Sequence, residues 1–310
     1  MDTTILGRTG LRVTVMGMGC GGPSRAGQST GKSEAESVAV IQKALDAGIN
    51  VIDTSEVYGT EEIVGRAIRG RDRTTLVLST KKSARAGISR QDVEHSLQAS
   101  LKRLGTDYVD VYHLHGVMLA DYPYLCSEIV PTLQQLRDRG LIRWIGITER
   151  FGSDTQHAML QRALRDDVWD VMMVGLNLLN QSARWKVFPT TIEKGIGVLV
   201  MFAVRRALSR PERLAQAIAE LVQRGQLDPK EVDGAAPFGF LIHDGGAVSL
   251  PDAAYRFCRD EPGTHVILSG TGNPAHLEAN IASFSRPPLP EEDRRRLEHI
   301  FRHADTVSGE

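Results

Sequence analysis

The chain has 310 residues, 41% hydrophobic and 24% charged, with a net charge of -1. This is ordinary globular composition, and balanced charge gives no electrostatic ground for nucleic acid or an anionic membrane as partner. Three scattered cysteines (Cys20, Cys126, Cys258) form no C-x-x-C, so neither a disulfide framework nor a zinc knuckle is encoded. There is no apolar run of membrane-spanning length and no basic-then-apolar leader, so a cytoplasmic protein with reduced thiols is expected.

A short strand pair at 3–6 and 11–14, turned by Gly7 to Gly10, comes first, and a strand at 13–18 follows. That strand runs through VTVMGMGCGGPS, in which Gly17, Gly19 and Gly22 spell the G-x-G-x-x-G of a dinucleotide-binding turn. A Rossmann turn needs its third glycine to open a helix at once. Here Pro23, Ser24 and AGQSTGK intervene before a helix at 33–47, so the motif reads as a loop at a strand end.

Further along, one junction recurs: a charged amphipathic stretch, a glycine, then a β-branched run. It occurs in KALDAGINVIDT, QLRDRGLIRWIGIT and TIEKGIGVLVMF, where Gly48, Gly140 and Gly195 suit left-handed helix caps. Strands are expected at 50–54, 75–80, 108–114, 142–148, 170–174, 197–201 and 265–269. Between them fall helices at 60–69, 90–103, 127–139, 154–165, 182–193, 251–260 and 274–284. Ser33 with Glu36, and Ser89 with Asp92, form plausible capping boxes. Eight strands alternating with eight helices predict a closed (β/α)8 barrel, a TIM barrel, as a single domain over 1–310. The segment 203–249 is too long for a simple loop; it holds an extra helix at 211–223 and a Gly/Pro-rich stretch, DGAAPFGF. A terminal helix at 290–304 and a frayed tail complete the reading.

Function in such a barrel sits at the C-terminal strand ends. Asp53 ends the second barrel strand, Lys81 the third and His115 the fourth, with Tyr58 five residues past Asp53. The four make sense as a proton-transfer device. A phenol titrates near ~10 and needs a cation beside it to work at neutral pH. Lys81 would supply that cation and Asp53 would hold it. His115 would orient a substrate carbonyl, and Tyr58 would protonate its oxygen.

GINVIDTSEVYGTEEIVGRAI resembles the aldo-keto reductase signature G-x-N-x-x-D-T-x-x-x-Y-G, and LSTKK, DYVDVYHLHG, WIGIT, NLLNQSA and HLEANIASF follow in family order. The resemblance implies a (β/α)8 barrel and a nicotinamide-dependent carbonyl reductase or alcohol dehydrogenase using NADP(H) or NAD(H). It carries a catalytic tetrad onto Asp53, Tyr58, Lys81 and His115, and places Gly19 and Cys20 beside the nicotinamide ribose. Thr148 and Glu149 stand where the family has Ser-Asn on the carboxamide; Met173 and Leu176 replace its glutamine and aromatic platform. Phe202-Ala203-Val204 replaces Ser-Pro-Leu, and Arg205 and Arg206 could reach the pyrophosphate. Gly270, Thr271 and Gly272 occupy the phosphate loop, with Asn280 on the adenine side. His276 stands where arginine or glutamine is common; the missing cations lean towards NAD, while family usage keeps NADP open.

The substrate is expected to be a small carbonyl or alcohol, with a sugar lactol as an alternative, walled by Val57, Val117, Met118, Phe151 and the segment 203–249. Two rival readings stand beside the reductase. One is a metal-dependent barrel hydrolase built on His113-Leu114-His115, whose further ligands are not evident at the other strand ends. The other is a non-catalytic or regulatory nucleotide-binding protein on the reductase scaffold.

Overall fold

A computed structural model describes residues 1–234 and 236–310; Ala235, within the DGAAPFGF stretch, lies outside the described residues. Strands β1 (Thr3–Ile5) and β2 (Arg12–Thr14) pair as an antiparallel hairpin. Eight parallel strands then close a barrel: β3 (Met16–Gly19), β4 (Val51–Asp53), β5 (Val77–Ser83), β6 (Val109–Val117), β7 (Ile142–Glu149), β8 (Val171–Gly175), β9 (Gly197–Met201) and β10 (Val266–Ser269). Helices α1 (Glu34–Asp46), α2 (Glu61–Ile68) and α3 (Arg90–Leu104) follow the first three barrel strands. After β6 come a single turn, α4 (Tyr122–Tyr124), and α5 (Val130–Asp138), then α6 (Ala158–Ala163) after β7. The pair α7 (Ala183–Lys186) and α8 (Phe188–Glu193) follows β8; α9 (Pro211–Gln223) and α10 (Leu250–Arg259) follow β9; α11 (Pro274–Ser285) and α12 (Glu291–Ile300) follow β10.

Period-two alternation sorts the barrel side chains into two cores. Met16, Met18, Ile52, Leu78, Tyr112, Leu114, Ile145 and Ile147 face outward and pack under the helices. Val51, Val77, Val111, Val171, Leu199 and Val266 face inward at the bottom, where Leu6, Leu11 and Val13 of the hairpin plug the barrel. Three of these inward rows, those of β4, β5 and β6, become polar one or two pleats higher, while those of β8, β9 and β10 continue apolar through Met173, Met201 and Leu268. Val51 leads to Asp53; Val77 leads to Ser79 and Lys81; Val111 leads to His113 and His115. The same alternation that builds the core therefore delivers the candidate residues to the upper mouth.

Both expected capping boxes are formed, and Gly48, Gly140 and Gly195 all take positive φ. Several boundaries differ from the sequence expectation. The hairpin strand and the first barrel strand are separate, broken at Val15. Strand β6 runs three residues further than expected, to Val117, with a register irregularity after Leu114. The helix expected at 127–139 starts at Tyr122 and passes through a π-turn, Leu125–Ile129, because Pro131 lacks the N–H that a regular helix would use. The helix expected at 182–193 breaks at Val187, just before Pro189. The helix expected at 154–165 is shortened because His157 adopts φ +60 immediately before it.

The tail is not frayed. Asn180 Nδ2 donates to Val307 O at 2.9 Å and Asn177 Nδ2 to Ser308 O at 3.1 Å. Asp305 takes Lys186 Nζ at 2.7 Å, and Val307 is buried. The amides of NLLNQSA thus anchor the C-terminal segment, a long-range contact that no local pattern announces.

Below the mouth, Asp110 is fully buried and joins two strands. It accepts the Leu78 N–H at 2.9 Å and Arg73 Nη2 at 2.7 Å on one oxygen, and Arg143 Nη1 at 3.0 Å on the other. Asp110→Ala strands a buried N–H and two guanidinium groups, so urea unfolding should show a loss of roughly 3 kcal/mol. A loss under ~1 kcal/mol would show that this link contributes little.

Candidate active site

Lys81 is wholly buried at the end of β5, and its Nζ donates to Asp53 Oδ2 at 2.6 Å and to Thr54 O at 2.7 Å. Asp53 is fixed in turn by Ser79 Oγ, which donates to Oδ1 at 2.7 Å. The neighbouring Lys82 is a different case: it pairs with Glu56 at 3.1 Å on the outer side of the strand. Burial works against the charge on Lys81, but Asp53 and Tyr58 outweigh it, and its pKa is raised. The ammonium lies 4.9 Å from the centroid of the Tyr58 ring.

Tyr58 OH lies 3.2 Å from His115 Nε2, with the two rings edge-to-face at 88°. Burial raises the phenol pKa and Lys81 only partly opposes this, so the hydroxyl keeps its proton at neutral pH. His115 Nδ1 is 3.2 Å from Ser55 Oγ, whose hydroxyl also reaches Lys81 O at 3.3 Å. When Ser55 donates to that carbonyl it accepts from Nδ1–H, leaving Nε2 as acceptor for the phenol; the reverse arrangement makes Nε2 the donor. Burial, then Lys81 and Arg150, push the His115 pKa down to about 3, so the ring is neutral.

The glycines of the opening loop serve this geometry. A Cβ on Gly21 would sit 2.3 Å from the Tyr58 ring, so only glycine lets the ring lie there. Cys20 N–H donates to Asp53 O at 2.8 Å, and Thr60 Oγ1 to Cys20 O at 3.1 Å, which stitches this loop to the Tyr58 loop. Burial pushes the Cys20 thiol pKa far up, so it supplies no thiolate, and Cys20 itself is buried behind the cleft lining.

A cleft of about 2650 Å³ opens above these groups. Its lining includes Gly19, Thr148, Val204, Arg205, Arg206, Gly270, Thr271 and Asn280, together with Asp53, Tyr58 and His115. Not all of them are free. Thr148 Oγ1 accepts the Gly116 N–H at 2.7 Å, and Asn280 Nδ2 donates to Ser269 Oγ at 2.9 Å. Glu149 is committed to the wall, bound by His157 Nδ1 at 2.9 Å and the Gly175 N–H at 2.7 Å. Leu176 is sealed in the core, while Met173 reaches the cleft.

Of the expected pocket walls, Val57, Met118 and Phe151 line the cleft, but Val117 does not. The irregular register after Leu114 turns Val117 into the outer core. His113 lies one layer below His115, and its two ring nitrogens have no hydrogen-bond partner among the described residues. No group of three or more His, Cys, Asp or Glu residues able to hold a metal occurs among the described residues.

A model of the aldo/keto reductase family matches residues 17–302. This chain belongs to the aldo/keto reductase family. Among curated proteins, it is similar to the uncharacterized oxidoreductase YqkF of Bacillus subtilis (strain 168), 25% identical over 305 residues that cover 94% of each chain. L-galactose dehydrogenase of Arabidopsis thaliana is 32% identical over 208 residues, 64% of each chain. Among solved structures, the holo form of aldo-keto reductase AKR11C1 from Bacillus halodurans shares the fold. Its TM-score is 0.74 at 24% identity, covering 97% of this chain and 96% of that one. As an aldo/keto reductase the protein is an oxidoreductase, of a family that generally uses NAD(P)H on small-molecule carbonyls. Among the described residues, no helix is long and apolar enough to cross a membrane.

Three features of this aldo/keto reductase escaped sequence reasoning. Ser55 sits two residues past Asp53, a spacing that could have flagged it as facing the same mouth. The base of the Lys32 side chain and Gly272 both pack against Gly27, and Lys32 lines the same cleft. Phe151 and Phe202 stack with centroids 6.3 Å apart, giving an aromatic wall that Met173 and Leu176 had not suggested.

The depressed histidines make acid stability predictable. A ring held neutral in the native state resists the proton that the unfolded chain accepts near its ordinary pKa of 6.5. His113 and His115 therefore contribute stability above that value, and it is lost as pH falls toward about 3. Urea unfolding at pH 7 and pH 5 should show the drop, and His115→Gln should make it smaller; an unchanged drop would remove His115 from the account.

Proposed function

We propose that this protein interconverts a small carbonyl and its alcohol, with Tyr58 as proton donor to the carbonyl oxygen and His115 as its orienting partner. Tyr58 keeps its proton, Lys81 lies close to its ring, and neutral His115 hydrogen-bonds its hydroxyl. A carbonyl oxygen placed between Tyr58 OH and His115 Nε2 would meet two donors when His115 is in its Nε2–H form. As negative charge develops on that oxygen, Tyr58 gives up its proton, and Lys81 stabilises the resulting phenolate. Asp53 keeps Lys81 charged and in place for this step. In the alcohol-oxidising direction the same groups run in reverse.

The nicotinamide cofactor, when bound, supplies or accepts the hydride. Gly19, Cys20, Asp53, Thr148, Val204, Arg205, Arg206, Gly270, Thr271 and Asn280 are the residues proposed to hold it. One observation tests the fit: Arg205 Nη1 is buried in the cleft wall with no hydrogen-bond partner among the described residues, a donor suited to a phosphate oxygen. Lys32 in the cleft wall pairs with Glu36 at 2.9 Å, and His276 stands where a 2′-phosphate cation is common, which favours NAD(H) over NADP(H). Val57, Met118 and Phe151 favour an aliphatic or aromatic carbonyl over a sugar lactol.

The observation that carries this reading is the buried Lys81–Asp53 pair beside the Tyr58–His115 contact. Tyr58→Phe keeps the ring and removes the proton. Reduction of a reactive aromatic aldehyde, followed by nicotinamide absorbance, should slow by about 10²–10⁴-fold, while cofactor affinity stays within about two-fold because no cofactor contact is assigned to the hydroxyl. Undiminished turnover would remove Tyr58 as the proton donor.

A further inference from the structure

The segment 305–310 runs beside the turn that follows β9 and brings Glu310 into the mouth. Its backbone is held at three consecutive carbonyls: Asn180 Nδ2 donates to Val307 O at 2.9 Å, Asn177 Nδ2 to Ser308 O at 3.1 Å, and the Ala207 N–H to Gly309 O at 3.0 Å. Glu310 completes the series. Its carboxylate pairs with Arg205 and lies 3.4 Å from Arg206 Nη1. Arg205 packs its guanidinium 3.9 Å from the centroid of the Phe202 ring. Arg205, Arg206, Ala207 and Glu310 line the same cleft as Tyr58 and His115.

A carbonyl oxygen and two carboxylate oxygens thus meet a peptide N–H and two guanidinium groups. Those donors are the set that a diphosphate recruits: planar forks for paired oxygens, and a backbone amide for a third. We propose that Gly309 and Glu310 form a built-in competitor for the diphosphate linkage of a dinucleotide, which must displace Glu310 to engage Arg205 and Arg206. This rests on the reading of the cleft as a dinucleotide site.

The exposures give the exchange its direction. The Arg205 side chain is 14% exposed, whereas Glu310 is 47% exposed. Stripping Arg205 of any anion would leave a desolvated charge, while returning a half-solvated Glu310 to water costs little. Arg205 therefore keeps an anionic partner throughout, first the carboxylate and then the diphosphate. Burial already works against its charge, consistent with that need. Only Gly309 O and the Glu310 side chain have to give way, because the asparagine anchors on Val307 and Ser308 lie outside the exchange. The apparent affinity for the dinucleotide is then reduced by the fraction of molecules in which Glu310 is engaged.

The test compares the full chain with Glu310→Gln, Arg205→Ala and the double variant, titrated at fixed salt with NADH and, separately, with inorganic pyrophosphate. Glu310→Gln should bind both about three- to ten-fold more tightly, a range set by one or two partly exposed ion pairs. The gain should vanish in the Arg205→Ala background. Unchanged or weaker pyrophosphate binding by Glu310→Gln would overturn the proposal, as would an equal gain without Arg205. Should NADH bind neither protein, the oxidoreductase reading falls. The pyrophosphate titration still decides the competition, with tighter binding supporting it and absence of binding to either protein overturning it.

Discussion

An ammonium group cannot sit inside a barrel without a counter-charge, and the mouth of this protein is organised around how Lys81 obtains one. Its Nζ is enclosed by Asp53 Oδ2 at 2.6 Å and Thr54 O at 2.7 Å. Strand register makes this possible. Asp53 is paired with Ser79, and Lys81 follows one pleat higher on the same inward row. The price of that buried charge is a tight local structure: Ser79 must hold Asp53, and Thr60 must tie the Tyr58 loop to Cys20. Gly21 must leave room for the phenol. These are separate residues in the sequence, but they serve one electrostatic requirement.

The same barrel is dry at one end and polar at the other. Hairpin residues Leu6, Leu11 and Val13 close the bottom with an apolar plug. Above them, His113 is buried and held neutral by burial and by Lys81, so it adds no second positive charge beneath the mouth. His115 is neutral for the same two reasons, with Arg150 adding to them. A single cation therefore dominates the field around Tyr58, which is the condition under which a phenol can yield its proton when charge develops nearby. Glu149 fits this economy of charge because His157 and the Gly175 N–H absorb it into the wall.

Much of this was legible in the sequence because it follows short-range rules. Period-two rows pointed Asp53, Lys81 and His115 to one end, and helix-capping glycines fixed where the strands began. Other features depend on contacts between residues far apart in the chain. The tail was read as frayed, yet Asn177 and Asn180, over 120 positions away, hold it. Val117 was expected in the pocket wall, and the irregularity after Leu114 moved it out. Arg205 and Arg206 were read as able to reach a pyrophosphate, and no local pattern announced that the Glu310 carboxylate meets them. Local pattern gives the side of a strand that a residue faces; it does not give what the rest of the chain brings to meet it.

The most direct test of the central role of Lys81 and Asp53 is a double-mutant cycle on unfolding free energy with Asp53→Ala, Lys81→Met and both together. Each single change leaves a buried charge or a broken network and should cost about 3–5 kcal/mol. The double variant, which removes both charges, should lose far less than the sum, while remaining inactive. Losses that simply add would show that the two groups do not depend on each other, and would contradict the account.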